Sequence, residues 1–159
     1  SDFQGKEILK RIINTAKDIN SQNCRIKIVF LRDYDMWLAK HLVSGCDVWL
    51  NTPQRPYEAS GTSGMKAALN GVPHISTLDG WWLEGHIDNL TGWCLGPHPQ
   101  DPNFNNDSSP DDEAEDLYTK LKDKIIPTFY GNRQKWVDIM RHCIAFNASF
   151  LRLEIKVLR

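Results

Sequence analysis

Short β-rich runs alternate with helical patterns along the first ninety-odd residues of this chain, and few residues lie between them. Ile8, Leu9, Ile12, Ile13, Ala16 and Ile19 fall on one helical stripe, so residues 5–20 are expected to form an amphipathic helix. RIKIVFL (25–31) reads as a buried strand, MWLAKHLVSG (36–45) as a helix, and CDVWLN (46–51) as a second strand. A helix around 63–70, closed by Asn70-Gly71, is followed by two more strands, 72–77 and 91–95. The pattern predicts a parallel sheet covered by helices, an α/β fold of Rossmann-like type.

Beyond residue 96 the pattern stops. PHPQDPNFNNDSSPDD (97–112) reads as an exposed loop, and two helices follow, near 112–125 and 132–146. Asn132 is positioned to cap the second, whose apolar face is Trp136, Ile139, Met140 and Cys143. The acidic run Asp111, Asp112, Glu113, Glu115, Asp116 sits in the first turns of a helix, where carboxylates favour the positive end of the dipole. It needs no metal to explain it. The histidines show no ligand spacing, and no metal is expected.

With 159 residues, 41% apolar and 25% charged, the chain has the composition of one ordinary globular domain. A net charge of −1 gives no nucleic-acid footprint, and no apolar run is long enough to span a membrane. Cys24, Cys46, Cys94 and Cys143 form no Cys-x-x-Cys pair, and the reading is free buried thiols in a reducing, cytoplasmic setting. No signal-peptide pattern opens the chain, so the Asn-x-Ser/Thr triplets at Asn89, Asn106 and Asn147 are read as chance. The first residue is not methionine, so a fragment or a processed chain is expected.

The segment with most chemical content is EASGTSGMKAALNG (58–71). It follows a predicted strand and opens a helix, the place where open parallel sheets bind ligands. Helix N-terminal amides attract anions, Gly61 and Gly64 let backbone approach a ligand, and Thr62 and Ser63 add hydroxyls. Glu58 has the acceptors to hold sugar hydroxyls. Lys66, read as lying on the first turn, is poorly placed there without an anionic partner or covalent attachment. The residues alone equally fit a capped helix after a Gly-Ser loop that carries a surface lysine.

EASGTSGMKAALNG together with STLDGWWLEGH (76–86) resembles the glycogen/α-glucan phosphorylase family, in the form found in its short bacterial and archaeal branch. The resemblance extends to FLRDYDMWLAKHL (30–42) and NRQKWVDIMRHCIAFNASF (132–150), and it ends at LRLEIKVLR. It implies that Lys66 carries pyridoxal 5'-phosphate as a Schiff base. It also implies that Thr62 and the adjoining backbone of Gly61, Ser63 and Gly64 meet the cofactor's phosphate, and that Tyr34 lies near the cofactor. Glu58, Ala59, Ser60 and Gly61 correspond to the part that holds the glucosyl unit. The implied reaction is cleavage of an α-1,4-glucosidic bond of glycogen or maltodextrin by inorganic phosphate. The product is α-D-glucose 1-phosphate with retained configuration, and the cofactor's phosphate exchanges a proton with the substrate phosphate.

The resemblance further implies a two-domain glycosyltransferase-B architecture, of which residues 1–159 are part of the C-terminal, cofactor-binding domain. The N-terminal domain and the basic residues that bind substrate phosphate would lie outside these residues. So would strands that pair between 25–31 and 46–51. The partners expected are α-glucan, inorganic phosphate and the remainder of the phosphorylase chain. Alone, the chain is expected to be inactive and, through its open sheet edge, to form a homodimer. One alternative is a retaining nucleotide-sugar glycosyltransferase, many of which place a second glutamate where this chain has Lys66. A lysine cannot accept hydrogen bonds from ribose hydroxyls. Another alternative is a non-catalytic cofactor- or glucan-binding module. A nicotinamide dehydrogenase is disfavoured, because no Gly-x-Gly-x-x-Gly follows a strand.

Overall fold

The structure is a computed structural model and describes residues 2–22, 25–98, 101 and 109–149. Two compact units divide it, one ending at Leu38 and the other beginning at Ala39.

The first unit is built on α1 (Phe3–Ser21), which starts where the Asp2 carboxylate accepts the Gly5 amide at 2.8 Å. The expected helix is there, but of its apolar stripe only Ala16 is buried. Ile8, Leu9 and Ile12 remain exposed. The strand expected at 25–31 does not form. Those residues carry no sheet pairing, and Ile26 and Val29 stand 65% and 71% exposed. A β-rich composition becomes a strand only where a neighbour takes up its backbone groups, and no described residue of this unit offers a strand to it. The side chain of Asn20 substitutes at one point. Its Nδ2 donates to the Ile28 carbonyl at 2.6 Å, and its Oδ1 accepts the Ile28 amide at 2.9 Å.

Helix α2 (Met36–Gly45) leads into the second unit, where three parallel strands, β1 (Trp49–Asn51), β2 (His74–Thr77) and β3 (Gly92–Leu95), pair in the order β1-β2-β3. Ile75 pairs with Trp93 and Ser76 with Cys94, so alternation puts Ile75, Trp93 and Leu95 on one face and His74, Ser76 and Cys94 on the other. The first face packs on α5 (Pro110–Lys120), on α7 (Arg133–His142) and on the turns beside them. Trp93, Leu95, Ile125, Trp136, Ile139 and Cys143 make one core there. The second face meets Ala68 of α3 (Thr62–Leu69), and Leu78, Trp81 and Trp82 at α4 (Trp82–Gly85), which the sequence did not foretell. Strand β1 has a single neighbour among the described residues.

Asn132 caps α7 as expected, its Oδ1 accepting the Lys135 amide at 3.0 Å. The acidic run is structural. Asp111, Asp112 and Glu113 occupy the first turn of α5 behind a Ser109 cap, Glu113 reaches Arg55, and Asp116 accepts the Gly96 amide at 2.9 Å. The helix expected over 112–125 continues from α5 through a π-helical segment, Leu121–Ile125, into α6 (Ile126–Gly131). A second π segment, Cys143–Ala148, follows α7. Cys46, Cys94 and Cys143 are free thiols, but only Cys143 is fully buried, where desolvation pushes its pKa up to about 12. Cys24, Asn106, most of the 97–112 loop and residues 151–159 lie outside the described residues. No helix among those described is long and apolar enough to cross a membrane.

Candidate functional site

Strands β1 and β2 are adjacent and parallel, so the segments leaving their carboxyl ends lie side by side. The segment after β1 carries Glu58, Ala59, Ser60 and Gly61 and then enters α3. The segment after β2 carries Asp79, Gly80 and Trp81. The two are stitched together through the backbone. The Asp79 carboxylate, 7% exposed, accepts the Glu58 amide and the Gly80 amide, each at 2.9 Å, and the Trp81 amide donates to the Ser60 carbonyl at 2.9 Å. Hydrogen bonds to an ionised acceptor are roughly twice as strong as neutral ones. Gly80, at φ +54°, permits the close approach. A Cβ there would stand 2.6 Å from the Ser60 carbonyl oxygen.

Gly61 adopts the left-handed conformation, φ +80° and ψ +54°, and among the described residues no side chain caps the first amides of α3. A side chain at Gly61 would sit 3.5 Å from Oε1 of Glu58, so the half-buried carboxylate stands beside the helix entrance. Among the described residues neither Glu58 nor Lys66 makes an ion pair. The Ser63 hydroxyl accepts from Asn51 Nδ2 at 3.1 Å and keeps its own proton to donate. Gly64 is buried, its Cα facing the His74 ring, while Thr62 and Ala59 are exposed.

Lys66 is exposed and sits differently from the sequence reading. The helix starts at Thr62, which moves Lys66 beyond the first turn and into the closing part of this short helix. The dipole conflict argued from the sequence therefore weakens, because a cation is favourable toward a helix C-terminus. Tyr34 belongs to the first unit, where it is 58% exposed. The structure thus gathers Glu58, Ser60, Gly61 and the amides of Thr62, Ser63 and Gly64 around one helix entrance, with Lys66 further along the same helix. Asp79, Gly80 and Trp81 were visible in the sequence as part of DGWW but not as the clamp on this loop. His74 gave no sequence signal beyond its place in a strand.

An uncapped helix entrance at the carboxyl edge of a parallel sheet, with a carboxylate beside it, fits a group carrying both phosphate and polar substituents. That is the test pyridoxal phosphate has to pass here, and these residues pass it on donor chemistry. A lysine follows on the same helix, and the orphan amides suit a phosphate.

The fold is a Rossmann-like one, a parallel sheet with helices on both faces. Over residues 1–88 the chain matches the carbohydrate phosphorylase family model, and it belongs to that family. Maltodextrin phosphorylase of Thermococcus litoralis is 43% identical over 143 residues, covering 90% of this chain and 16% of that protein. Glycogen phosphorylase of Aquifex aeolicus is 42% identical over 149 residues, covering 91% of this chain and 20% of that protein. The chain therefore spans no more than a fifth of these relatives. Among solved structures, Anabaena Alr3699/HepE in complex with UDP and glucose superposes with a TM-score of 0.62 at 20% identity, over 92% of this chain and 33% of that one. At that identity the likeness speaks for the fold alone.

Proposed function

We propose that these residues form the cofactor-holding part of an α-glucan phosphorylase, which degrades glycogen or maltodextrin with inorganic phosphate in the cytoplasm. The observation that carries this reading is the uncapped entrance of α3 beside Glu58, with Lys66 on the same helix. Lys66 is the attachment point for pyridoxal phosphate. The amides of Thr62, Ser63 and Gly64 hold its phosphate at the helix dipole's positive end. When bound, the cofactor supplies a phosphate group able to exchange a proton with inorganic phosphate.

Glu58 accepts hydroxyls of the terminal glucosyl unit, and the backbone of Ala59, Ser60 and Gly61 lines the same sugar. Asp79 keeps this loop fixed before substrate arrives, so the ordering cost is met in folding rather than in the transition state. The substrate phosphate gives its proton to the glucan's leaving O4 as the C1–O4 bond breaks, and its oxygen bonds C1 on the face that O4 leaves. α-D-glucose 1-phosphate departs with its configuration retained. The remainder of the phosphorylase chain and, for the isolated residues, a second copy complete the expected set of partners.

A nucleotide-sugar transferase with the same fold would need an acceptor for ribose hydroxyls, and Lys66 has none to offer. The full-length protein, given maltodextrin and inorganic phosphate, is expected to release glucose 1-phosphate in the α configuration. Consumption of UDP-glucose with no phosphorolysis would replace this reading by the transferase.

A further inference from the structure

His74 opens β2 and turns its ring to the α3 side of the sheet. The ring is 1% exposed, and neither Nδ1 nor Nε2 has a hydrogen-bond partner among the described residues. Desolvation holds it neutral, with a pKa pushed down to about 3. Burying polar nitrogens unpaired is costly, and an aliphatic side chain would avoid the cost. The ring's packing gives it a use that an aliphatic chain cannot copy. It stacks on Trp81 with centroids 5.5 Å apart and planes 10° apart, and Trp82 meets it edge-on at 4.5 Å. Its nitrogen-bearing edge abuts Gly64, where a Cβ would lie 2.6 Å from Cε1, 2.9 Å from Nε2 and 3.0 Å from Nδ1.

Those two neighbours belong to the two halves of the site. Gly64 lies in the first turn of α3. Trp81 holds the Ser60 carbonyl, and through it the loop of Glu58. One flat ring therefore lies against both Gly64 and Trp81.

We propose that His74 is a positioning residue, which sets the distance between the first turn of α3 and the Glu58 loop by the thickness and placement of its ring. This rests on the phosphorylase reading above. The ring touches neither ligand and acts through Gly64 and Trp81.

The test uses the full-length holoenzyme. Gly64→Ala drives a methyl into the ring and displaces the first turn. A shift of about 1 Å at a site of this kind costs on the order of 10²-fold, and the loss should appear in kcat with the phosphorus resonance of the bound cofactor moved. Adding His74→Ala to Gly64→Ala makes room for that methyl. The double variant should recover at least half of the logarithmic loss and return the resonance toward its wild-type position. A double variant no better than Gly64→Ala overturns the proposal. His74→Phe pushes a longer ring toward Gly64 and decides the matter even if the alanine variants do not fold. A loss of kcat on the order of 10²-fold with the phosphorus resonance moved supports a spacer, and kcat within roughly threefold of wild type with an unmoved resonance overturns it. A wild-type protein with no borohydride-fixed cofactor on Lys66 would remove the site reading itself, a failure separate from either outcome.

Discussion

A polypeptide of these 159 residues, supplied with pyridoxal phosphate, maltodextrin and inorganic phosphate, is expected to release no measurable glucose 1-phosphate. The chain matches only 16% and 20% of the length of the phosphorylases quoted above. In the proposed reaction, Glu58 and α3 hold one side of the glucosyl unit and the cofactor. Closing the site against water and fixing the attacking phosphate need groups from elsewhere. Lost orientation of a reactant alone forfeits about 7–11 kcal/mol of barrier lowering, enough to bury any residual rate in the background. The same residues should still fold, because the Trp93–Trp136 core on one sheet face and the Trp81–Trp82 core on the other are closed. Leu50 of β1 is 48% exposed at an edge with a single neighbour among the described residues, so sedimentation should show self-association above a clean monomer. Sustained, cofactor-dependent release of product would contradict this account of what the chain lacks.

The second large effect is Glu58→Gln in the full-length protein. Glutamine keeps the size of the side chain and the amide held by Asp79, but it loses the charge. Its single carbonyl oxygen accepts more weakly from the glucosyl hydroxyls whose hydrogen bonds tighten in the transition state. kcat/KM should fall by ~10²-fold or more, equivalent to about 2.7 kcal/mol. Cofactor content should stay near normal, because the proposed phosphate site is made of backbone amides on the other side of Gly61. An unchanged kcat/KM would take Glu58 out of the sugar site, and a loss of cofactor with activity would give it a different role.

Wherever burial and local chemistry pointed the same way, the sequence was legible. CDVWLN, VPHIST and TGWCL each contain their observed strand, trimmed by a few residues. Asn132 and the acids of α5 do what their positions imply. RIKIVFL misled because strand propensity says nothing about whether a neighbour exists, and here Asn20 is what meets the Ile28 backbone. The π segment before α6 was hidden for a related reason. Pro127 has no amide to return to the Asp123 carbonyl, but how the helix absorbs that depends on packing around Ile125.

At the site, Glu58 through Lys66 could be singled out because a glycine-bracketed turn, a carboxylate and a lysine are each chemically pointed. Asp79 and His74 could not. An aspartate before glycine is an ordinary turn residue, and a histidine inside a short apolar run looks like a core residue. Only the structure brings the Asp79 carboxylate to the Glu58 amide, and the His74 ring between Gly64 and Trp81. The helix start, one residue earlier than expected, also decides where Lys66 stands relative to the dipole.

The central claim is that Lys66 carries the cofactor. Borohydride reduction of the full-length holoprotein, followed by proteolysis and mass mapping of the peptides, reads this without an activity assay. The account predicts a phosphopyridoxyl adduct on the peptide containing Gly64, Met65 and Lys66, with the modified residue at Lys66. An adduct on any other lysine, or intact holoprotein with no adduct, would contradict it.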